Sequence, residues 1–284
     1  MTNKAIATEK KLFINRRTWT LITIIAAIVI LLGVAIAGIL MPSDAYATNF
    51  ENKNQAPSFS HLFGTDWMGR DMLARTIKGL STSILIGMLA AGISSIIAVI
   101  LGTLSAVMGK KVDQLILWLI DMVQGIPHLI LLMLISFMLG KGLRGVMVGI
   151  AISHWPNLAR IVRAEVMSVK NGQFVHASRK MGHSRMFIAV RHILPHVIPQ
   201  FIVGLILLFP HAILHEASIT FLGFGLSPEE PAVGVILSES MRYLTSGFWW
   251  LTVLPGAALL IIVLLFDAIG DNLRMIIDPY SAQE

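Results

Sequence analysis

Apolar residues fill this chain in long blocks rather than alternating or marking one face of a soluble helix. Six blocks, at residues 21–41, 81–108, 115–139, 146–169, 198–214 and 251–270, are separated by polar segments. A helix that crosses a bilayer needs about 20 mainly apolar residues, with a range of about 17–25. In hydrocarbon every backbone polar group must be satisfied within the segment, so blocks of this kind are helical. The pattern predicts an all-α polytopic membrane protein with six transmembrane helices.

Within the blocks, polar residues carry the detail. Trp19 marks an interface before the first block, and Ala45-Tyr46-Ala47 after it resembles a signal cleavage site. The apolar core of about 21 residues exceeds the roughly 7–15 of a signal peptide, so we read a retained first helix. Segment 42–78 is polar. Its second half opens with the helix-start residues Thr65 and Asp66 and has an apolar set in Leu62, Trp67, Met72 and Leu73, which predicts a short amphipathic helix on the outer surface. The second block carries small residues four apart (Gly87, Ala91, Ser95; Ala98, Gly102, Ala106), the mark of a helix packed closely inside a bundle.

In the third block Asp121, Gln124 and His128 fall at i, i+3 and i+7 and share a helix face. Polar groups at membrane depth either hydrogen-bond neighbouring helices or line a path for a solute, and both uses stay open for these three. Pro127 is positioned to kink that helix. His154-Trp155-Pro156 interrupts the fourth block. Segment 217–247 is irregular and rich in Gly and Pro, with apolar pieces too short to span, and reads as a loop dipping back into the bundle. Trp249 and Trp250 mark the outer interface.

Composition agrees with the blocks. The 284 residues are 55% hydrophobic and 13% charged, against about 25% charged in soluble domains; the mean hydropathy is +0.76. There is no cysteine, which excludes disulfides, thiol catalysis and thiolate metal sites. The net charge of +6 reflects basic loops at one membrane face rather than a nucleic-acid partner. With the N-terminus inside, inner segments hold fifteen Lys and Arg and outer segments seven. The positive-inside rule then places both termini, and the stretch 174–199, in the cytoplasm.

That stretch is the longest basic interruption in the second half. It holds His176, His183, His192 and His196 with Arg179, Lys180, Arg185 and Arg191. Apolar and small positions recur in it at three and four, which predicts two helices at an angle, hinged near Gly182. The basic residues alone suit a helix lying on anionic lipid.

The same stretch resembles the cytoplasmic signature of ABC importer permeases, which reads Glu-Ala-Ala, three residues, Gly, and later Leu-Pro. Ala177, Gly182 and Leu194-Pro195 fall in register; His176 stands where the signature has Glu, and Ser178 where it has the second Ala. Phe63-Gly-Thr-Asp-Trp-Met-Gly-Arg-Asp71, Glu216-Ala-Ser-Ile-Thr-Phe-Leu-Gly-Phe-Gly225 and Gly270-Asp-Asn-Leu-Arg-Met-Ile-Ile-Asp-Pro279 are similar, in order, to segments of the oligopeptide/dipeptide/nickel permeases, of the C-type subunit. The resemblance implies the type I ABC importer permease fold, with residues 1–80 a tail, first helix and outer segment, and 81–284 a five-helix core carrying a coupling loop at about 170–197. It implies ATPase coupling through His176, Ala177, Ser178, Gly182, Leu194 and Pro195. It further implies a second permease subunit, two cytoplasmic ATP-binding subunits and an extracytoplasmic binding protein, in a bacterial cytoplasmic membrane. The chain has no GxxxxGK[ST] phosphate loop. ATP and magnesium are therefore expected on partner subunits, with no cofactor on this chain.

Histidine bears on the cargo. His211 and His215 are i, i+4, with Glu216 adjacent, a spacing that can ligate a transition metal. His211-Ala-Ile-Leu-His215 and Ser153-His154-Trp155 are more similar to nickel or metal-chelate permeases than to peptide ones. Alternatively the pair hydrogen-bonds the outer loop, and no complete ligand set is legible. The candidate path residues are Asp121, Gln124, His128, His211, His215 and Glu216, and the cargo is nickel, a metal-chelate or a small peptide. The rival from another class is a stand-alone secondary transporter or channel, which would show internal repeats and a buried ionisable relay; no clear repeat is visible.

Overall fold

The computed structural model describes residues 16–277. Lys4, Lys10 and Lys11 of the basic tail, and the Asp278-Pro279 end of the C-terminal resemblance, lie outside the described residues. Among those described, the regular structure is helical apart from one isolated bridge between Thr65 and Asp71. The first helix, α1, spans Arg16–Leu40, and α2 spans Met72–Val107. The third apolar block is two helices, α3 (Lys110–Gln124) and α4 (His128–Met138), bent by 90°. The fourth is also two, α5 (Gly142–Ser153) and α6 (Trp155–Val169). The basic stretch forms α7 (Gln173–Lys180) and α8 (Arg185–Ile188), which runs through a π-helical turn at Ala189–Ile193 into α9 (Leu194–Phe221). The chain continues with α10 (Val233–Leu244) and α11 (Trp250–Ile277).

Four helical stretches are long and apolar enough to cross a membrane: Thr18–Leu40, Met72–Val107, Arg185–Phe221 and Trp250–Ile277. The bent α3–α4 pair makes a fifth. The remaining expected crossing is the interrupted α5–α6 pair. Its break follows from Pro156 in the first turn of α6, where a missing N–H costs nothing but the helix cannot extend backward through it. At the α3–α4 elbow, Gly125-Ile126-Pro127 stops one helix and starts the next, with Pro127 at the N-cap outside helical ψ (φ −52°, ψ 124°).

Helix α2 is the centre of the bundle, packing on α1, α6, α9 and α5. Its small residues make this possible. A Cβ at Gly102 would sit 2.7 Å from the Ala159 carbonyl oxygen, and one at Gly87 2.6 Å from Ile213 Cγ1. Ala91, Ser95, Ala98 and Ala106 are buried. The α1–α2 contact is polar at its closest point, where Ser81 and Lys78 donate to the Ala35 and Gly38 carbonyls, each at 2.8 Å.

Two expectations are corrected. Segment 63–71 is not a surface helix. Gly64 and Gly69 take positive φ (69° and 74°), a turn no helix can contain, and the first helical residue is Met72, capped by Asp71 through Ala74 N–H at 2.9 Å. Segment 217–247 is not a loop throughout: α9 runs on to Phe221, and α10 is a packed helix against α11, α9 and α2. Trp250 is correspondingly buried, its indole N–H 3.5 Å from the Thr65 carbonyl, while Trp249 is exposed.

Candidate functional site

Two regions concentrate the chemistry-bearing side chains. The first is a cavity of about 420 Å³ between the elbow of α3–α4, the break of α5–α6 and the second half of α9. Each of these three places contributes a histidine to one cluster. His128 opens α4, His154 sits at the α5–α6 break, and His215 lies on α9. Ring centroids are 4.6 Å apart for His128 and His154, 4.5 Å for His128 and His215, and 5.1 Å for His154 and His215. One ring nitrogen from each lies within 4.8 Å of the other two.

The orientation of His154 is fixed. Its Nδ1 lies 3.0 Å from the Ile150 carbonyl oxygen and 3.0 Å from Ser153 Oγ. A carbonyl only accepts, so Nδ1 carries the proton, and Nε2 is left with its lone pair. Both His154 Nε2 and His128 Nε2 are buried without a hydrogen-bond partner. Buried polar atoms are rarely left so. His211 lines the same cavity but is exposed and stands outside the cluster of three.

The remaining candidate residues divide. The shared face expected for Asp121, Gln124 and His128 does not exist as one helix, because the elbow falls between Gln124 and His128. Gln124 and His128 nevertheless reach the same cavity. Asp121 and Gln124 bond to α6: Arg160 donates to Asp121 at 2.6 Å, and Gln124 to Asn157 at 2.6 Å. One turn further along, Arg163 grips Asp113 through two bonds of 2.6 and 2.7 Å. Glu216 does not line the cavity. It is fully buried and accepts the Thr220 hydroxyl at 3.0 Å, and Thr220 in turn accepts Leu226 N–H at 3.2 Å, which holds the turn after α9. His154 was not among the path residues expected from the sequence. Its signal was the interruption His154-Trp155-Pro156, because a break at membrane depth turns side chains and backbone toward a cavity.

The second region is the α7–α8 surface. Gly182 joins the two helices with φ 84°, and a Cβ there would meet nothing within 4 Å. Ser184 caps α8 by accepting Phe187 N–H at 3.2 Å. His176, Ala177, Gly182 and Pro195 are exposed and Leu194 is half-buried, whereas Ser178 faces the bundle at 1% exposure. Met181, Met186, Phe187 and Val190 are exposed among Arg179, Lys180 and Arg191. The surface is tied to the end of α2: Lys170 donates to the Ala106 carbonyl at 3.0 Å, and Arg185 reaches the Met108 carbonyl at 3.5 Å. Cations there satisfy the last carbonyls of a helix and complement its dipole.

Comparison with known proteins matches residues 95–279 to the family described as binding-protein-dependent transport system inner membrane component. A putative peptide transport system permease protein of Brucella abortus is 35% identical over 261 residues, covering 90% of this chain and 88% of that protein. The dipeptide transport system permease protein DppC of Bacillus subtilis is 32% identical over 240 residues, covering 84% and 75%. Among solved structures, the inward-facing MetNI methionine ABC transporter aligns with a TM-score of 0.60 at 21% identity, covering 73% of this chain and 98% of that one. The fold is thus that of ABC importer permeases.

Proposed function

The chain belongs to the family of binding-protein-dependent transport system inner membrane components, and on that basis we propose that it is one permease half of an ATP-driven importer of small peptides or peptide-like solutes. The observation that carries the reading is extended similarity to permeases named for peptide and dipeptide transport, over 84% to 90% of the chain. The His-lined cavity is the part of the solute path that this half contributes. Gln124 and His128 border it from the elbow.

In this reading α7, Gly182 and α8 seat on an ATP-binding partner. Exposed His176 and Ala177 face that partner, Ser178 turns its small side chain into the bundle, and Leu194-Pro195 starts the helix that carries the movement inward. ATP and magnesium belong to two such subunits, and this chain hydrolyses nothing. A second permease completes the path, and a binding protein delivers solute from outside. The excess of Lys and Arg on the inner segments supports a bacterial cytoplasmic membrane location with both termini inside. A rigid helix pair joined to α9 transmits closure of the ATPases as a rigid-body movement.

A second reading concerns cargo. The cluster of His128, His154 and His215 favours a metal-chelate over a metal-free peptide. Co-expression with the genes that neighbour this one tests the assembly. An ATP-binding subunit should co-purify with the chain, and solute-stimulated ATP hydrolysis should appear on adding the binding protein. Purification of the chain without any ATPase would defeat the importer reading and favour a stand-alone transporter.

A further inference from the structure

We propose that His128, His154 and His215 form a three-imidazole site that holds a divalent transition metal in transit, the metal arriving with its own anionic chelator. The inference rests on the reading of the cavity as part of the solute path, and it assigns the ligands there.

Three observations converge. The first is geometry. Three ring nitrogens, from the start of α4, the α5–α6 break and α9, already lie within 4.8 Å of one another. Metal–nitrogen bonds of about 2.1 Å put neighbouring donors about 3.0–3.4 Å apart, so small rotations of the half-buried His128 and His215 close the set. The second is orientation. His154, with 7% exposure, is locked by the Ile150 carbonyl on Nδ1, which leaves Nε2 buried and bare. A ligating histidine is characteristically held this way, with its other nitrogen bonded to a carbonyl or carboxylate. The third is the pair of unpartnered Nε2 atoms, on His128 and His154. Neutral imidazoles suit zinc, nickel, copper and cobalt far better than calcium or magnesium, which take oxygen ligands.

Charge decides the form of the cargo. No Asp, Glu, Lys or Arg lines the cavity. Asp121 is engaged by Arg160, and Glu216 is buried away from the cavity against Thr220. A bare dication held by three neutral rings would be uncompensated at membrane depth, where isolated charges are costly. A metal whose charge is already balanced by carboxylates of a tridentate chelator carries no such cost. Three imidazoles then complete its six-coordinate shell. No bond is made or broken in the chelator, and release needs only that one helix withdraw its ring.

The test uses the assembled importer in lipid nanodiscs, with nickel(II)–iminodiacetate as probe and free nickel(II) as comparison. X-ray absorption should show about three imidazole nitrogens per bound nickel, and the iminodiacetate complex should bind at least about tenfold more tightly than free nickel. Separate His128→Ala, His154→Ala and His215→Ala variants should each weaken binding by about 10–100-fold or more, and His211→Ala by less than about threefold. His154→Gln serves as a second variant: it keeps the helix break and removes the ligand, so binding should fail in it as in His154→Ala, while Ser153→Ala, which takes away only an outer partner of His154 Nδ1, should weaken binding less than either. No nickel binding by the wild-type complex, or undiminished binding in all three alanine variants, overturns the site. Equal affinity for free and chelated nickel overturns the anionic-chelator part. In either case co-purification of the ATPase still stands or falls separately, so loss of the metal site leaves the importer reading distinguishable.

Discussion

The two polar ends of α2 are built on opposite principles. At its start, the turn 63–71 consumes its own charges. Asp66 is completely buried and accepts four donors: Met68 N–H at 2.8 Å, Arg70 N–H at 3.0 Å, Arg70 Nε at 2.7 Å and Arg75 at 2.8 Å. Arg75 continues to Glu239 on α10 at 2.9 Å, and Trp67 stacks on Tyr243 with centroids 4.5 Å apart. At the far end, among the described residues, no acidic side chain pairs with Arg179, Lys180, Arg185 or Arg191. Apolar Met181, Met186 and Phe187 stand exposed beside them. One end is finished within the chain. The other has the composition of a surface that awaits a partner, since exposed apolar groups rimmed by charge mark interaction sites.

The contrast can be broken by substitution, and the effects on stability should descend in order. Asp66→Ala strands Arg75 and Arg70 among the groups that held them. Removing one partner of a buried ion pair costs about 3–5 kcal/mol, so the thermal unfolding midpoint in detergent should fall sharply and folded yield with it. Gly69→Ala comes next. It forces φ 74° on a residue with a Cβ, and that Cβ would lie 1.6 Å from the Asn49 carbonyl oxygen. A loss of about 2–3 kcal/mol is expected, read from the same melting curve. Gly182→Leu has a similar φ but open space around it, so only the left-handed backbone cost of about 1–2 kcal/mol applies. Its chain should insert and assemble, yet ATP hydrolysis should no longer drive uptake. Normal uptake in that variant would end the coupling assignment. Smallest on stability is Arg179→Glu with Lys180→Glu, within about 0.5 kcal/mol per site because both side chains are exposed. The ATP-binding subunit should nonetheless be lost on purification. If all four changes affected stability equally, the difference between the two ends would be an illusion.

The sequence was readable where one local property sufficed. Block length located the four uninterrupted spans, small residues four apart located the face of α2 that meets α6 and α9, and Gly182 marked the bend between α7 and α8. It was misleading where local patterns compete with backbone conformation. Thr65 and Asp66 look like a helix start, but Gly64 and Gly69 turn the chain before any helix forms. Asp121, Gln124 and His128 count as one face only if Gly125-Ile126-Pro127 stays helical, and it does not. The histidine cluster was not legible at all as a set. His128, His154 and His215 are distant in sequence and meet only because two broken helices bring their ends to the same point on α9. The i, i+4 rule selected His211 with His215, whereas space selects His154.

The length of α2 has a consequence for the membrane itself. Thirty-six residues at about 1.5 Å each make a rod of about 54 Å, well beyond a hydrocarbon core of about 30 Å. Its bare apolar stripe, Leu85, Leu89, Ile93, Ile96 and Ile100, occupies only the middle, about 22 Å from first to last at that rise. Bilayer thickness is therefore registered on the centre of the rod. The self-closed turn at one end and the basic surface at the other stand clear of the acyl chains, in water or among headgroups, where a partner from either compartment can reach them.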